Sequence, residues 1–357
     1  MKRPTSLCVK VPKIYGEKAI ILANKLEIVK RELEIQRNKN FLYIPLTRQP
    51  SANELNTLKK QIPDCKILTR TFPERKKQVK TFVELLEDTF SPHSLASLPR
   101  AIDLVGDIAI IEVPPELDAY KRIIGEAILK TQKNVRTVLA KAGVVSGIYR
   151  LREFSIIAGE PKTETIHKEH GCQYYLDIAK AYFSPRLSYE HKRVASLVKQ
   201  GEIVIDLFTG VGPFAIQIAK THENIEVYAI DVNPDAVEFL KRNIRLNRVE
   251  GKVHPILADA KKVVEERLTG VADRVIMNLP EKAIEFVEVA CKTLKPHGGM
   301  VHFYSFVSID VSLENVKLRF MEAVEKCGRK VEKIFFSRFV RATAPYEWQA
   351  VLDAKIH

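Results

Sequence analysis

Cysteine is scarce in this chain, and no two cysteines stand close together in the sequence. The five that occur are Cys8, Cys65, Cys172, Cys291 and Cys327, without any Cys-x-x-Cys pair. This spacing argues against a zinc site and against a disulfide framework, although a single disulfide stays compatible with it. We therefore expect no metal centre and a reducing, cytoplasmic setting.

Long hydrophobic runs are also missing. No apolar stretch approaches the roughly 18 residues that a membrane-spanning helix needs, and the basic residues 1–6 precede no long apolar segment that would indicate a signal peptide. Internal repeats and low-complexity tracts are absent as well. A length of 357 residues therefore predicts a globular protein of two or three domains.

Acidic residues are too few to balance the basic ones. Lys and Arg total 57 against 44 Asp and Glu, which gives a net charge of +13. A positive field of this size attracts polyanions and speeds their association. An RNA or DNA substrate fits it better than a small metabolite, the alternative being a protein that is merely basic.

The most informative stretch runs from Asp206 to Phe214, with the sequence Asp-Leu-Phe-Thr-Gly-Val-Gly-Pro-Phe. It lies between an apolar run, 203–205, and a helical pattern, 215–219, so the order is strand, glycine turn, helix. Gly210 and Gly212 allow a sharp turn and let a ligand approach bare backbone. The turn fits G-x-G-x-x-G/A, and Asp231 follows about 20 residues later, so a dinucleotide is one candidate ligand.

The polar residues at successive strand ends favour S-adenosylmethionine over a dinucleotide. Asp206 can meet an amino group of the ligand, and together with Asp231 it suits a cationic sulfonium better than a pyrophosphate. Asp259 follows a third apolar run where adenine would lie, and Asn278 with Pro280 follows a fourth. Ligands of open α/β sheets bind at these carboxyl ends, and the series resembles the class I methyltransferase pattern. The predicted cofactor-binding residues are Asp206, Phe208, Thr209, Gly210, Gly212, Asp231, Asp259, Asn278 and Pro280. The alternative is a parallel-sheet protein whose strands merely end in turn-forming Asp and Asn.

Hydrophobic periodicity divides the chain into four segments. Residues 1–70 read as a small α+β domain, residues 71–98 as a linker with a basic cluster, and residues 99–165 as a second small α+β domain. Within the second domain, residues 103–113 read as one strand with a bend at Gly106. Residues 166–357 alternate strand and helix, which predicts a doubly wound Rossmann-like domain.

Seven motifs occur in an order that resembles the archaeal and eukaryotic-type tRNA (guanine-37, N1)-methyltransferase family. The resemblance covers nearly the whole chain and is most specific over 165–214, whereas the first 70 residues and the linker match only in general pattern. The motifs are Gly106-Asp107-Ile108, Tyr149–Glu153, Ala158–Glu160, Thr165–Glu169, Tyr182–Leu187, Asp206–Phe214 and Asn278-Leu279-Pro280.

This resemblance implies an α/β enzyme with a class I methyltransferase domain at the C-terminus, preceded by two small α+β domains. It implies transfer of a methyl group from S-adenosylmethionine to N1 of guanosine 37 in tRNA. The first domain would contact the outer corner of the tRNA. Methylation at C7 of a wyosine precursor at the same tRNA position, alone or as a second activity, is the alternative, although Asn278-Leu279-Pro280 leans toward N1. We expect the enzyme to act as a monomer.

Methylation at guanine N1 requires removal of a proton, while negative charge builds on O6. The resemblance places the general base at Glu190, which the sequence puts about one helical turn after Ser184-Pro185, a predicted N-cap and first helical residue. It places the O6 partner at Arg150, expected in a strand, where a phosphate contact or an ion pair is the alternative. Asn278 is expected to position the base by accepting a hydrogen bond from N1–H or the 2-amino group.

Further substrate contacts are expected around the same motifs. Tyr182 is a candidate to stack on the target base, unless it is a core residue, and Arg186 is a candidate substrate contact. The segment from Arg341 to Tyr346 either borders the cofactor pocket or forms a hairpin turn. Predicted phosphate contacts are Arg75, Lys76, Lys77, Arg186, Lys192 and Arg193. A dinucleotide oxidoreductase and a non-catalytic RNA-binding protein are the rival functions.

Overall fold

The computed structural model describes residues 4–74, 81–143 and 147–357. Two units make up the chain, residues 1–80 and residues 81–357. The basic cluster predicted to contact phosphates at Arg75, Lys76 and Lys77 lies outside the described residues. Within the described ranges, no helix is both long and apolar enough to cross a membrane.

The first unit is built on a four-stranded antiparallel sheet in the order β2-β3-β1-β4. Apolar residues alternate along β1 so that Val9 and Val11 point into the core, and α1 adds Ala19 and Ala23 from one helical face. The α2 helix begins with a capping box between Ser51 and Glu54. The elements are β1 (Thr5–Pro12), α1 (Gly16–Lys25), β2 (Gln36–Arg37), β3 (Phe41–Pro45), α2 (Ala52–Gln61) and β4 (Lys66–Thr71).

The second unit opens with a small domain whose four strands follow chain order, β5-β6-β7-β8. The predicted strand over 103–113 is wrong, because Gly106 at φ +58° reverses the chain and produces a hairpin. Part of the predicted linker also belongs to this domain, since Leu86, Phe90 and Leu98 are buried in its core. The elements are α3 (Pro92–Ala96), β5 (Asp103–Val105), β6 (Ile108–Ile111), α4 (Lys121–Thr131), β7 (Thr137–Lys141) and β8 (Phe154–Gly159).

A hairpin and a seven-stranded sheet complete the chain. The sheet has the order β13-β12-β11-β14-β15-β17-β16, parallel except for β17, which runs antiparallel to both of its neighbours. The strands are β9 (Glu164–Glu169), β10 (Cys172–Asp177), β11 (Ile203–Asp206), β12 (Glu226–Asp231), β13 (Val253–Leu257), β14 (Arg274–Met277), β15 (Gly299–Ser308), β16 (Val331–Ala344) and β17 (Glu347–Ile356).

Helices cover both faces of this sheet. On one face α6 and α7 pack residues such as Phe214 and Leu240 into the core, and on the other face α9 and α10 bury residues such as Val287 and Phe320. This is the predicted doubly wound architecture, in which the central strands are apolar on both sides. The helices are α5 (Ser188–Leu197), α6 (Pro213–Thr221), α7 (Pro234–Asn247), α8 (Ala260–Val263), α9 (Val287–Thr293) and α10 (Leu313–Lys326).

Candidate active site

A cavity of about 410 Å³ lies where β11, β12, β13 and β14 end. The loops that follow these strands supply most of its wall, because parallel strands bring their carboxyl ends to one edge of the sheet. The predicted residues that line it are Arg150, Tyr182, Phe208, Gly210, Asp231, Asp259, Asn278 and Pro280. The predicted residues Asp206, at the end of β11, and Thr209 and Gly212, in the turn that follows, are not among the residues that line it.

In the glycine turn, position 212 requires glycine more strictly than position 210 does. Gly212 has φ +92°, and a Cβ there would lie 2.4 Å from Cδ1 of Leu240. Gly210 has φ +55°, and its nearest neighbour would be the Tyr182 carbonyl oxygen at 3.6 Å. The Gly210 N–H donates to Oδ2 of Asp231 at 2.7 Å, so the turn is tied to the end of β12.

Asp206 is fully buried at the end of β11. Its Oδ1 accepts a hydrogen bond from Phe208 N at 3.3 Å, whereas its Oδ2 and the Thr209 hydroxyl have no hydrogen-bond partner among the described residues. Burial raises the pKa of Asp206 to about 7, and the charge of Asp231 adds to the shift. Burial also raises the pKa of Asp231.

The unpartnered oxygen of Asp206, with the carboxyl group of Asp231 beside it, fits a ligand that brings hydrogen-bond donors or positive charge. The ammonium and hydroxyl groups of S-adenosylmethionine meet that need. A pyrophosphate would add negative charge beside the buried carboxyl group of Asp206 and the half-buried one of Asp231, which is unfavourable. The donor set therefore favours S-adenosylmethionine over a dinucleotide.

Aromatic side chains form another part of the cavity wall. The rings of Phe208 and Phe286 meet edge to face with centroids 4.8 Å apart, and Lys261 lies over Phe286. Asp259 caps α8 by accepting from the Lys261 and Lys262 N–H groups. Sequence reasoning did not identify Phe286 or Lys261, since neither stands at a strand end.

Arg150 enters the cavity from a turn, not from the predicted strand. Its backbone has φ +57°, and its guanidinium lies 5.6 Å from the Tyr182 ring and 5.7 Å from the Phe306 ring. Nη1 is 3.3 Å from Oε2 of Glu281 but makes no hydrogen bond within ranges 4–74, 81–143 and 147–357. A buried N–H donor is therefore available beside the cavity.

Glu190 is completely buried in α5 and is not among the residues that line the cavity. Oε2 accepts hydrogen bonds from Arg193 and from the Tyr304 hydroxyl, the latter at 2.8 Å, and Oε1 accepts from Nη2 of Arg338 at 2.6 Å. Pro185 begins a 3-10 turn just before α5, but Ser184 makes no capping hydrogen bond with its side chain. Sequence reasoning missed Tyr304 and Arg338, which lie on β15 and β16.

The polar network around Glu190 continues through the sheet. Arg193 pairs with Asp353, whose Oδ1 lies 2.6 Å from Nδ1 of His302. His302 in turn contacts Nη1 of Arg274 through Nε2 at 2.9 Å. Polar residues inside otherwise apolar strands are the sequence signal that could have identified His302 and Asp353.

Arginines of the predicted phosphate-binding group have other partners. The assignment of Arg193 is wrong, because its side chain is only 10% exposed and is paired with Glu190 and Asp353. Arg186 binds both oxygens of Asp103, with Nε at 2.6 Å and Nη2 at 3.1 Å. Lys192 is exposed.

The C-terminal strands add residues to the cavity. The segment from Pro345 to Tyr346 turns between β16 and β17, while Arg341 lines the cavity, so both sequence interpretations of this segment hold. Arg341 donates to Gln349, Ser184 and Tyr182. Gln349, which sequence reasoning also missed, donates from Nε2 to Oδ1 of Asn278 at 3.1 Å.

Family models match three parts of the chain. Residues 165–332 match the TRM5/TYW2 methyltransferase domain, residues 82–163 match the TYW2 N-terminal domain, and residues 8–54 match the tRNA methyltransferase 5 N-terminal domain.

Individual relatives extend this likeness to nearly the whole chain. The tRNA (guanine(37)-N(1))-methyltransferase Trm5b of Pyrococcus abyssi is 37% identical and covers 98% of this chain and 99% of its own. The tRNA 4-demethylwyosine(37)-methyltransferase Taw21 of Saccharolobus solfataricus is also 37% identical but covers 78% of this chain and 99% of its own. A solved complex of aTrm5 and tRNALeu is 32% identical, with a TM-score of 0.71 over 98% of this chain and 100% of that one.

These relationships agree with the motif order and with the acidic strand ends around the cavity. They also confirm the expected class I methyltransferase fold preceded by smaller N-terminal domains. The chain belongs to the TRM5/TYW2 methyltransferase family.

Proposed function

We propose that this chain transfers a methyl group from S-adenosylmethionine to N1 of guanosine 37 in tRNA. The observation that carries the proposal is one cavity in which acidic strand ends meet Arg150 and Asn278. The acidic side suits a cationic methyl donor, and the other side offers a guanidinium and an amide to a nucleobase.

When bound, S-adenosylmethionine supplies an electrophilic methyl group on a sulfonium. The chain's own task is then to position the acceptor base, because a displacement reaction depends strongly on alignment. Asp231 and the turn at Gly210 are proposed to hold the methyl donor, with Asp259 and the Phe208–Phe286 pair beside them. Asn278, Pro280 and Tyr182 are proposed to hold the target base.

Two further side chains are proposed to stabilise charge and to accept the proton at the target guanine. Arg150 is proposed to donate to O6 through Nη1, which lies 3.3 Å from Oε2 of Glu281 without a hydrogen bond to it; the donation would stabilise negative charge as it forms. Glu190 is proposed to accept the proton from N1. Since both of its oxygens are hydrogen-bonded in the structure, this role requires Glu190 to exchange a present partner for the substrate.

Methylation at C7 of 4-demethylwyosine is the second candidate, favoured by the 37% identity to Taw21. That relative is matched over 78% of this chain, whereas the Pyrococcus abyssi Trm5b is matched over 98%. Residues 8–54 also match the tRNA methyltransferase 5 N-terminal domain. The longer match favours the N1 reaction.

Several parts of the proposal concern partners and setting. The partner is tRNA, and the net charge of +13 supports binding to its phosphates. Activity as a monomer in the cytoplasm stays a prediction. The substrate contact by Arg186 also stays a prediction, and it would require Arg186 to give up at least one of its hydrogen bonds to Asp103.

The decisive experiment incubates tRNA transcripts, with guanosine or 4-demethylwyosine at position 37, with the protein and isotopically labelled S-adenosylmethionine. Mass spectrometry of the digested nucleosides should find label in N1-methylguanosine. Label only in the tricyclic nucleoside would replace the first function by the second, and label in neither would refute both. Calorimetry with S-adenosylmethionine and with NADH tests the cofactor separately, and tRNA binding should weaken as salt is raised.

A further inference from the structure

A chain of hydrogen bonds runs from the edge of the seven-stranded sheet to Asn278. Arg341 on β16 faces Gln349 on β17, and its Nε donates to Oε1 of Gln349 at 2.9 Å. Nε2 of Gln349 then donates to Oδ1 of Asn278 at 3.1 Å. Gln349 is only 1% exposed, so water cannot readily replace either contact.

The direction of these bonds follows from the chemistry of arginine. A guanidinium has N–H donors and no acceptor, whereas an amide has one of each kind. Gln349 must therefore turn its oxygen to Arg341, which leaves its amino group for Asn278. Asn278 must in turn offer its oxygen to Gln349. One arginine thus fixes the orientation of two successive amides that could otherwise be flipped.

The orientation of Asn278 decides what it presents to the cavity. Its oxygen is engaged by Gln349, and its Nδ2 has no acceptor in the part of the chain that the structure describes. A guanine ring offers donors at N1 and at the 2-amino group and an acceptor at O6. The free amino group matches O6 and does not match N1–H, contrary to the acceptor role expected from sequence.

We propose that Arg341 and Gln349 are positioning residues that turn the Asn278 amino group toward the target base, where it donates to O6. This inference rests on the proposed guanosine methylation. As N1 loses its proton, negative charge spreads to O6, so a donor already aimed there helps the reaction more than it helps ground-state binding. Arg150 and Asn278 would then approach the same oxygen.

Two substitutions at Gln349 separate orientation from mere packing. Gln349→Glu keeps the shape and pairs with Arg341, but it can only accept hydrogen bonds, so Asn278 would turn its amino group away from the cavity. Gln349→Met also keeps the approximate shape but imposes no direction on Asn278. A purely structural role predicts that methionine is the more harmful, because it leaves Nε of Arg341 and Oδ1 of Asn278 without the partner that Gln349 gives them.

The orientation proposal predicts the reverse order in single-turnover methylation of guanosine 37. We expect Gln349→Glu to lower the rate about 100-fold and Gln349→Met about threefold to tenfold, the first figure being typical for loss of one preorganised donor. Apparent affinities for S-adenosylmethionine and tRNA should change less than about threefold, because the contact matters chiefly in the transition state. Gln349→Glu should melt at no lower temperature than Gln349→Met.

Asn278→Asp provides an independent check, because aspartate can accept from Gln349 but has no donor for O6. A rate loss comparable to that of Gln349→Glu supports the proposal. Retention of the wild-type rate by Asn278→Asp, or a rate for Gln349→Glu equal to or above that for Gln349→Met, overturns it. If the unaltered protein forms no N1-methylguanosine, the proposed function fails and this inference fails with it. If the unaltered protein is active, the rates of the variants test only the orientation of Asn278.

Discussion

Oε1 of Glu190 lies 2.6 Å from Nη2 of Arg338, with the Glu190 side chain 1% exposed and that of Arg338 35% exposed. The Arg338 guanidinium also lies 4.5 Å from the Tyr189 ring. Arg338 is thus the partner of Glu190 that reaches the surface, whereas Arg193 and Tyr304 hold the carboxylate from inside. If Glu190 acts as the base, Arg338 is the contact most easily exchanged.

Glu190→Gln should impair both methyl transfer and folding. Loss of a general base lowers rates by roughly 10²-fold to 10⁴-fold. A neutral amide also leaves Arg338 without its carboxylate and Arg193 with Asp353 alone, which destabilises by about 3 kcal/mol. Single-turnover rates per folded protein, measured well below the melting temperature, separate the two effects. An unchanged rate in folded protein would remove Glu190 from the mechanism.

Asp353→Asn is the matched control for Glu190→Gln. It weakens the same network at Arg193 and His302 but leaves the Glu190 carboxyl group intact. We expect a comparable loss of stability, again about 3 kcal/mol, with little change in the methylation rate of the folded enzyme. Equal rate losses in both variants would show that the network is needed and that proton acceptance by Glu190 is not.

Asp206→Asn should stabilise the ligand-free protein at alkaline pH. The pKa of Asp206 is about 7, above the ordinary value of about 3.9, so the folded state binds a proton that the unfolded chain releases. The contribution of this group to stability is complete below the unfolded pKa and is lost as pH rises through about 7. Removing the charge should therefore raise the free energy of unfolding at pH 8 by on the order of 4 kcal/mol.

Denaturant unfolding at about pH 5 and pH 8 tests this prediction, since the stabilisation by Asp206→Asn should be smaller at the lower pH. Asp259→Asn is the control, because Asp259 borders the same cavity but is exposed. Asparagine caps helices as well as aspartate does, so stability should change by less than about 0.5 kcal/mol. A gain at pH 8 in the Asp259 variant alone would contradict the assignment.

S-adenosylmethionine affinity should depend on pH through the same carboxyl group. If the ammonium of the ligand pairs with ionised Asp206, binding must displace the proton that is present below about pH 7. Affinity should therefore rise between pH 6 and 7.5 by up to about tenfold per unit, with proton release on binding. Calorimetry in buffers of different ionisation enthalpy measures both the affinity and the number of protons released. Asp206→Asn should bind S-adenosylmethionine more weakly, with an affinity that depends less on pH.

Gly212→Ala should be far more damaging than Gly210→Ala. Alanine at position 212 would place Cβ 2.4 Å from Leu240 at φ +92°, whereas at position 210 the closest atom lies at 3.6 Å with φ +55°. The left-handed backbone alone costs about 1–2 kcal/mol, which is the effect expected for Gly210→Ala. Melting curves and S-adenosylmethionine titrations should show a larger loss for Gly212→Ala. Similar losses in the two variants would mean that the contact with Leu240 adds nothing to the backbone cost.

Local sequence patterns were enough to predict the turn and the strand ends that we propose to bind the cofactor. The turn at Gly210 and Gly212 and the acids at the strand ends follow from strand periodicity and glycine chemistry, and the structure gathers them at one sheet edge. Prediction failed where neighbours in space override local preference. Gly106 continued an apolar pattern, yet the backbone reverses there and β5 pairs with β6.

The sequence by itself determined the doubly wound domain, the glycine turn and the series of acidic strand ends, because each depends on residues within about ten positions of one another. Only the tertiary structure decided the partners of Glu190 and the direction of the Asn278 amide. Those depend on Tyr304, Arg338, Arg341 and Gln349, which β-strand pairing brings across from the end of the chain. The physical reason is that a hydrogen bond acts over about 3 Å whatever the separation in sequence, so donors and acceptors can be matched only once the strands are in register.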